Sequence, residues 1–232
     1  MIGDPSNQQY YNEEPIQTKD SSLFTKTFFW MFLGLLGTAG VAAYSYYSGL
    51  LYGLITAGFF PILLVVELVV VLLFSFLFRK LSPTVVGILY FLYAFINGLS
   101  FSTIFYAYEL SSIVYVFLIS AAIYGGLAFY GYITKKDLGK WGNVLFGMLV
   151  GGLVITLINL FLQNSTLEII LDWVILIAFF GITVYDMNKI RQFEGDTELN
   201  QDKLSIYCAM QLYLDFINIF LRILAIFGKR RD

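Results

Sequence analysis

From about Thr27 onward the chain alternates long apolar stretches with short polar breaks. Seven stretches stand out, at about Thr27–Ser48, Leu54–Phe78, Thr84–Tyr108, Ser112–Ile133, Gly142–Leu162, Glu168–Met187 and Lys203–Phe227. Each approaches the ~20 residues that a helix needs to cross the hydrocarbon of a bilayer. The breaks are short and hold turn residues such as the Ser82–Pro83 pair, and no internal repeat is visible. The pattern predicts an all-α integral membrane protein, a bundle of seven transmembrane helices occupying residues 23–228. Residues 1–22 are polar and turn-rich, without the basic start, apolar middle and small-residue cleavage site of a secretory signal, and read as a disordered tail. Residues 229–232 read as a short basic tail.

Composition supports the pattern. Of 232 residues, 59% are hydrophobic and 13% charged, where a soluble domain has roughly 45–50% and about 25%. A chain of this size cannot hide that much apolar surface in one water-soluble core, so the excess faces lipid. With 14 basic and 16 acidic residues there is no basic field for nucleic acid. Cys208 is the single cysteine, which excludes an intrachain disulfide and a thiolate metal cage. Histidine is absent altogether. Triad hydrolases, HExxH metalloproteases and histidine-ligated haem or zinc sites therefore fall together, and the chain reads as a non-enzyme with no tightly bound cofactor. Any response to pH near neutrality has to come from carboxylates rather than imidazole.

Basic residues indicate orientation. Lys19 and Lys26 precede the first span, Arg79 and Lys80 follow the second, Lys135, Lys136 and Lys140 lie between the fourth and fifth, and Lys189, Arg191 and Lys203 between the sixth and seventh. The loops on the other side carry none, which predicts a cytoplasmic N-terminus. Lys229, Arg230 and Arg231 conflict with that rule if the seventh segment spans rather than re-enters; spanning is the reading adopted.

Charges inside spans cost about 2.5–3.5 kcal/mol each at the helix centre on insertion scales, so those present are informative. Glu67, Asp186, Asp215 and Arg222 are the four. In the seventh span Cys208, Gln211, Asp215, Asn218 and Arg222 step by 3, 4, 3 and 4, which puts them on one face. Such a stripe turns toward other helices or a water-filled path and predicts a central last helix; it is either a permeation route or a static hydrogen-bond network. Asp186, near the end of its span, either snorkels to water or approaches Asp215, since the sixth and seventh spans are consecutive and antiparallel. Two close carboxylates in low dielectric do not both ionise freely, which would make a histidine-free proton switch. Glu67 is a third acidic group in the bundle wall, on a candidate cation pathway, or a partner for Arg222. Arg79 and Lys80 read as topology anchors, with Arg79 also able to fold inward onto an aspartate. Glu109, Glu168 and Asp172 read as interfacial, and Gly125, Gly126, Gly151 and Gly152 as sites of close helix packing.

VYDMNKIR (Val184–Arg191), LYLDFINIF (Leu212–Phe220), the closing Phe227–Gly228 and ITKKDLGKWG (Ile133–Gly142) resemble the Bax inhibitor-1 family, also called the transmembrane BAX inhibitor motif family, from about the first span to Gly228. The short termini are similar to its bacterial branch, which implies a bacterial plasma membrane. The resemblance implies a cytoprotective, pH-sensitive calcium leak, with Ca²⁺ and protons as the small partners, Asp186 and Asp215 as sensor and transient Ca²⁺ ligands, and a basic residue after the second span as a latch. Arg79 is the candidate latch, although the register counted from Glu67 places Phe78 there. Bacterial relatives are also linked to modulating a membrane-bound AAA protease, a binding role without transport. An intramembrane aspartyl protease fits Val184–Tyr185–Asp186 but not LYLDF in place of GxGD, and a proton-coupled transporter lacks the repeats that would support it.

Overall fold

A computed structural model describes residues 22–194 and 200–231. The expected tail, Lys19 included, lies outside the described residues apart from Ser22, which caps the first helix. The described chain is all-helical, with seven helices long and apolar enough to cross a membrane. In chain order the helices are α1 (Leu23–Ser48), a short α2 (Leu50–Thr56), α3 (Phe60–Leu77) with a 3₁₀ turn at Phe78–Lys80, α4 (Pro83–Phe101), a short α5 (Ile104–Ala107), α6 (Leu110–Ile133), α7 (Gly139–Leu162), α8 (Ser165–Phe193) and α9 (Gln201–Phe227), and the seven spans are all of these but α2 and α5.

Local chemistry explains the boundaries. Ser82 and Asn164 cap α4 and α8 by accepting the Val85 and Leu167 amides, and Asn200 caps α9 by accepting the Lys203 amide. The second predicted span begins too early, because Gly58 at φ 75° and Pro61 just inside α3 end α2 and start a new helix. The third is interrupted at Ser102–Thr103, where the Ser102 hydroxyl turns back onto the Leu99 carbonyl. The sixth runs on past Met187 to Phe193, which draws Asp186 about two turns inside the helix.

α9 occupies the centre, packed against α1, α4, α6 and α8, while α3 leans on α4 and α7 on α8 from outside. A helix with a charged stripe belongs there, because lipid offers no partner for Asp215 or Arg222. The outer helices present apolar side chains outward, such as Phe76 on α3 and Phe161 on α7, 78% and 89% exposed. α1 turns one stripe of small and polar residues inward, Thr27, Gly34, Thr38 and Ser45 among them. There the Thr38 hydroxyl reaches the Ala94 carbonyl at 3.0 Å and the Tyr213 hydroxyl at 2.7 Å.

The ends of the bundle are tied by polar contacts. At the face where α1 begins, Lys26 pairs with Asp202 at 2.8 Å and Lys203 donates to the Arg79 carbonyl. At the far face Lys229 pairs with Glu109 at 2.7 Å, Arg231 donates to the Tyr46 hydroxyl, and the 229–231 backbone bridges 107–109. α9 therefore runs the full length of the bundle, and Lys229 and Arg231 after it are held by side-chain contacts at that far face.

Gly125, Gly126 and Gly151 meet nothing within 4 Å, so they are not the packing glycines the sequence suggested; Gly152 alone of the four faces a neighbour, Ile175. The close approaches lie elsewhere. A Cβ at Gly131 would sit 2.5 Å from the Val184 carbonyl oxygen, and one at Gly98 2.8 Å from that of Thr38. Gly131→Ala and Gly98→Ala should each destabilise the protein by about 1–3 kcal/mol, whereas Gly126→Ala should leave the melting temperature unchanged, as thermal unfolding in detergent will show.

Candidate functional site

The antiparallel seam between α8 and α9 holds buried charge at two levels. At the inner level, Asp186 of α8 and Asp215 of α9 are 6% and 3% exposed. They lie within electrostatic reach of one another, although no hydrogen bond joins them among the described residues. Oδ2 of Asp215 is enclosed and accepts no hydrogen bond. Around the pair stand Tyr124 of α6, within reach of both charges, Lys189 one turn along α8 from Asp186, and Tyr207 and Cys208 of α9. Tyr124 donates to the Leu212 carbonyl at 3.2 Å, and Lys189 lies 5.9 Å and 5.8 Å over the rings of Tyr185 and Phe193. A carboxylate buried with an unpartnered oxygen is costly, and such groups collect where proton or cation binding is the task.

At the outer level, the Arg222 guanidinium donates to Asp172 at 2.6 Å. Between the levels the polar stripe of α9 continues through Asn218, which donates to the Leu214 carbonyl of its own helix. Gln211 is half-buried on the same stripe.

Glu67 lies elsewhere. It accepts from Asn97 and from the Ser100 hydroxyl at 2.9 Å, and Asn97 also reaches the Tyr93 hydroxyl. This cluster fixes α3 to α4. The pairing of Glu67 with Arg222 does not occur, because α3 packs outside α4 while Arg222 faces α8.

The sequence model of a family described as "Inhibitor of apoptosis-promoting Bax1" matches residues 20–232. The chain is 38% identical over 208 residues to "Inner membrane protein YbhL" of Escherichia coli (strain K12), covering 87% of this chain and 89% of that one. It is 34% identical over 212 residues to "Uncharacterized protein RP147" of Rickettsia prowazekii (strain Madrid E), covering 89% of each, and 34% identical over 213 residues to an uncharacterized protein of Deinococcus radiodurans, covering 91% of each. The chain belongs to the Bax inhibitor-1 family. It is a multi-pass membrane protein.

In this member of the Bax inhibitor-1 family, Arg79 is not on the aspartate pair. Its side chain is exposed in the 3₁₀ turn and makes no ion pair among the described residues. Phe78 takes the inward place and stacks on Tyr207 with ring centroids 4.2 Å apart. Asp186 does not snorkel to water, since the extra turns of α8 enclose it.

Asp172 was missed as a site residue and read as interfacial; it is 7% exposed and neutralised by Arg222. Its signal was present. Asp172 and Asp186 are separated by 14 residues, and Asp215 and Arg222 by 7, spacings that return to nearly the same helical face. The Glu67 cluster had no such signal, because Asn97 and Ser100 become partners only when α3 and α4 pack.

Removing a charge that the fold leaves unpartnered should not weaken the fold. Asp215→Asn is expected to melt at pH 8 no lower than the parent and up to about 1–3 kcal/mol more stably, whereas Asp172→Asn, which strands Arg222, should melt lower. Differential scanning of the detergent-purified proteins reads both.

Proposed function

We propose that the protein is a pH-regulated leak for cations, Ca²⁺ foremost, with the α8–α9 seam as its route and the Asp186/Asp215 pair as its switch. The observation that carries this reading is the enclosure of two carboxylates within electrostatic reach of one another on the central seam, one with an oxygen that accepts no hydrogen bond. Ca²⁺ is a hard ion that takes oxygen ligands, and the carboxylate of Asp215 and the amide oxygens of Gln211 and Asn218 are what the polar stripe offers a transient passenger. Protonation of one member of a close pair changes the charge on the seam by a full unit without any histidine. A change of that kind biases a bundle with two packings toward one of them.

On this reading the protein is not an enzyme, Ca²⁺ is cargo rather than a resident cofactor, and the small partners are Ca²⁺ and protons. The face bearing Lys26, Arg79, Lys80, Lys135, Lys136 and Lys203 is the cytoplasmic one, by the excess of basic residues there. The relative named as an inner membrane protein supports a bacterial plasma membrane as the location. Exposed Arg79 acts as an anchor at that face rather than as a latch on the pair.

The test is Ca²⁺ entry into liposomes holding the purified protein, recorded from pH 6 to pH 8. The parent should pass Ca²⁺ at a rate that changes with pH across this range. Asp186→Asn and Asp215→Asn should each flatten the pH profile, while Glu67→Gln, away from the seam, should keep it. Flux no greater than that of empty liposomes at every pH, from protein verified as folded, would reject the leak and favour a partner-binding role.

A further inference from the structure

The seam does not end at the aspartate pair. Asn218 and Arg222 carry the stripe of α9 toward the far face, and Asp172 stands on the side of α8 that bears Asp186. There the seam opens into a cavity of about 440 Å³ between α7, α8 and α9. Thr156, Asn159, Gln163 and Glu168 line it together with Asp172 and Arg222. Its lining is rich in oxygen, and its two carboxylates outnumber its one guanidinium, so its chemistry favours cations over anions. The ion pair forms the inner wall. The Arg222 and Asp172 side chains are 30% and 10% exposed, so the pair is reached from the cavity. Meanwhile Nε of Arg222 is enclosed and unpartnered. The guanidinium thus holds Asp172 by one hydrogen bond from Nη1 while its inner edge is unsatisfied.

We propose that the Asp172–Arg222 ion pair is a gate at the far end of the seam, with the cavity as its vestibule. Cations collect at Glu168 and Asp172, and the fixed positive charge of Arg222 keeps them from Asp215. Displacement of the guanidinium from Asp172 opens the neck, and the carboxylate it leaves becomes the next oxygen ligand inward. The gate rests on the leak reading, but it is a separate device from the aspartate switch: it acts by position and charge, and neither partner needs to change protonation.

Water access tests the gate independently of flux. In a Cys208→Ser background, Leu176→Cys places a thiol one turn inward from Asp172 on the same side of α8, at a site 3% exposed. Ile175→Cys, at a site 6% exposed and turned toward Gly152 of α7, reports general loosening of the helices. Both are reacted in nanodiscs with a positively charged methanethiosulfonate. With the native pair the thiol at position 176 should be protected. With Arg222→Gln it should react several-fold faster while the thiol at 175 does not, and Ca²⁺ flux in liposomes should rise several-fold. The exchanged pair, Asp172→Arg with Arg222→Asp, should restore protection. Labelling at 176 that Arg222→Gln leaves unchanged, or that rises equally at 175 and 176, would overturn the gate. Labelling that responds selectively to the ion pair without cation flux in any protein would retain the gate for water and overturn the leak reading.

Discussion

A charge inside a bilayer has to be handled by another helix, because lipid offers it neither water nor a counterion. In this protein the constraint falls chiefly on α9, which carries Asp215 and Arg222 on one stripe, and the architecture follows from it. α9 is enclosed by α1, α4, α6 and α8. The helix that supplies the matching charges, α8, lies antiparallel beside it, so that Asp172 meets Arg222 and Asp186 comes within electrostatic reach of Asp215. α3 and α7, which have no charge to bring to that seam, form the outside.

The two levels of the seam are chemically unlike. At the outer one a carboxylate and a guanidinium neutralise each other in the wall of a polar cavity, a contact that links α8 to α9. At the inner one two acids lie within electrostatic reach of each other, and Oδ2 of Asp215 is left without a donor. An ion pair broken on one side destabilises; an acid pair relieved of one charge does not. Stability and function therefore pull on different pairs. In the Bax inhibitor-1 family setting, the inner pair is the part of this molecule least explained by the needs of folding.

Much of this is legible in the amino-acid sequence. Segment length and composition gave seven spans and their order, and the 3, 4, 3, 4 spacing of the stripe placed the last helix at the centre. The antiparallel order of two consecutive helices offered the approach of Asp186 to Asp215 as one of two readings of Asp186, the other being a side chain that reaches water. What escaped were contacts decided by tertiary packing. Asp172 looked interfacial because it stands near the start of a span, yet α8 continues far enough on the other side to draw it inward. Arg79 was read as an anchor with a latch on the pair as the alternative; the 3₁₀ turn after α3 leaves it exposed and directs Phe78 inward, as the register counted from Glu67 had indicated. The packing glycines were misjudged for a related reason: Gly125 and Gly126 are conspicuous as a doublet, whereas what matters is which residue another backbone happens to approach, as at Gly98 and Gly131.

The claim on which all else turns is that cations move between α8 and α9. Cysteines at 172 and 222, in a Cys208→Ser background, allow a short bifunctional methanethiosulfonate to tie the two helices together at the mouth of the seam. A second pair at 67 and 100 ties α3 to α4, away from it. Bridging the first pair should stop Ca²⁺ entry into liposomes, and reductant should restore it, while bridging the second leaves entry unchanged. Undiminished entry through protein fully bridged between α8 and α9 would contradict the route.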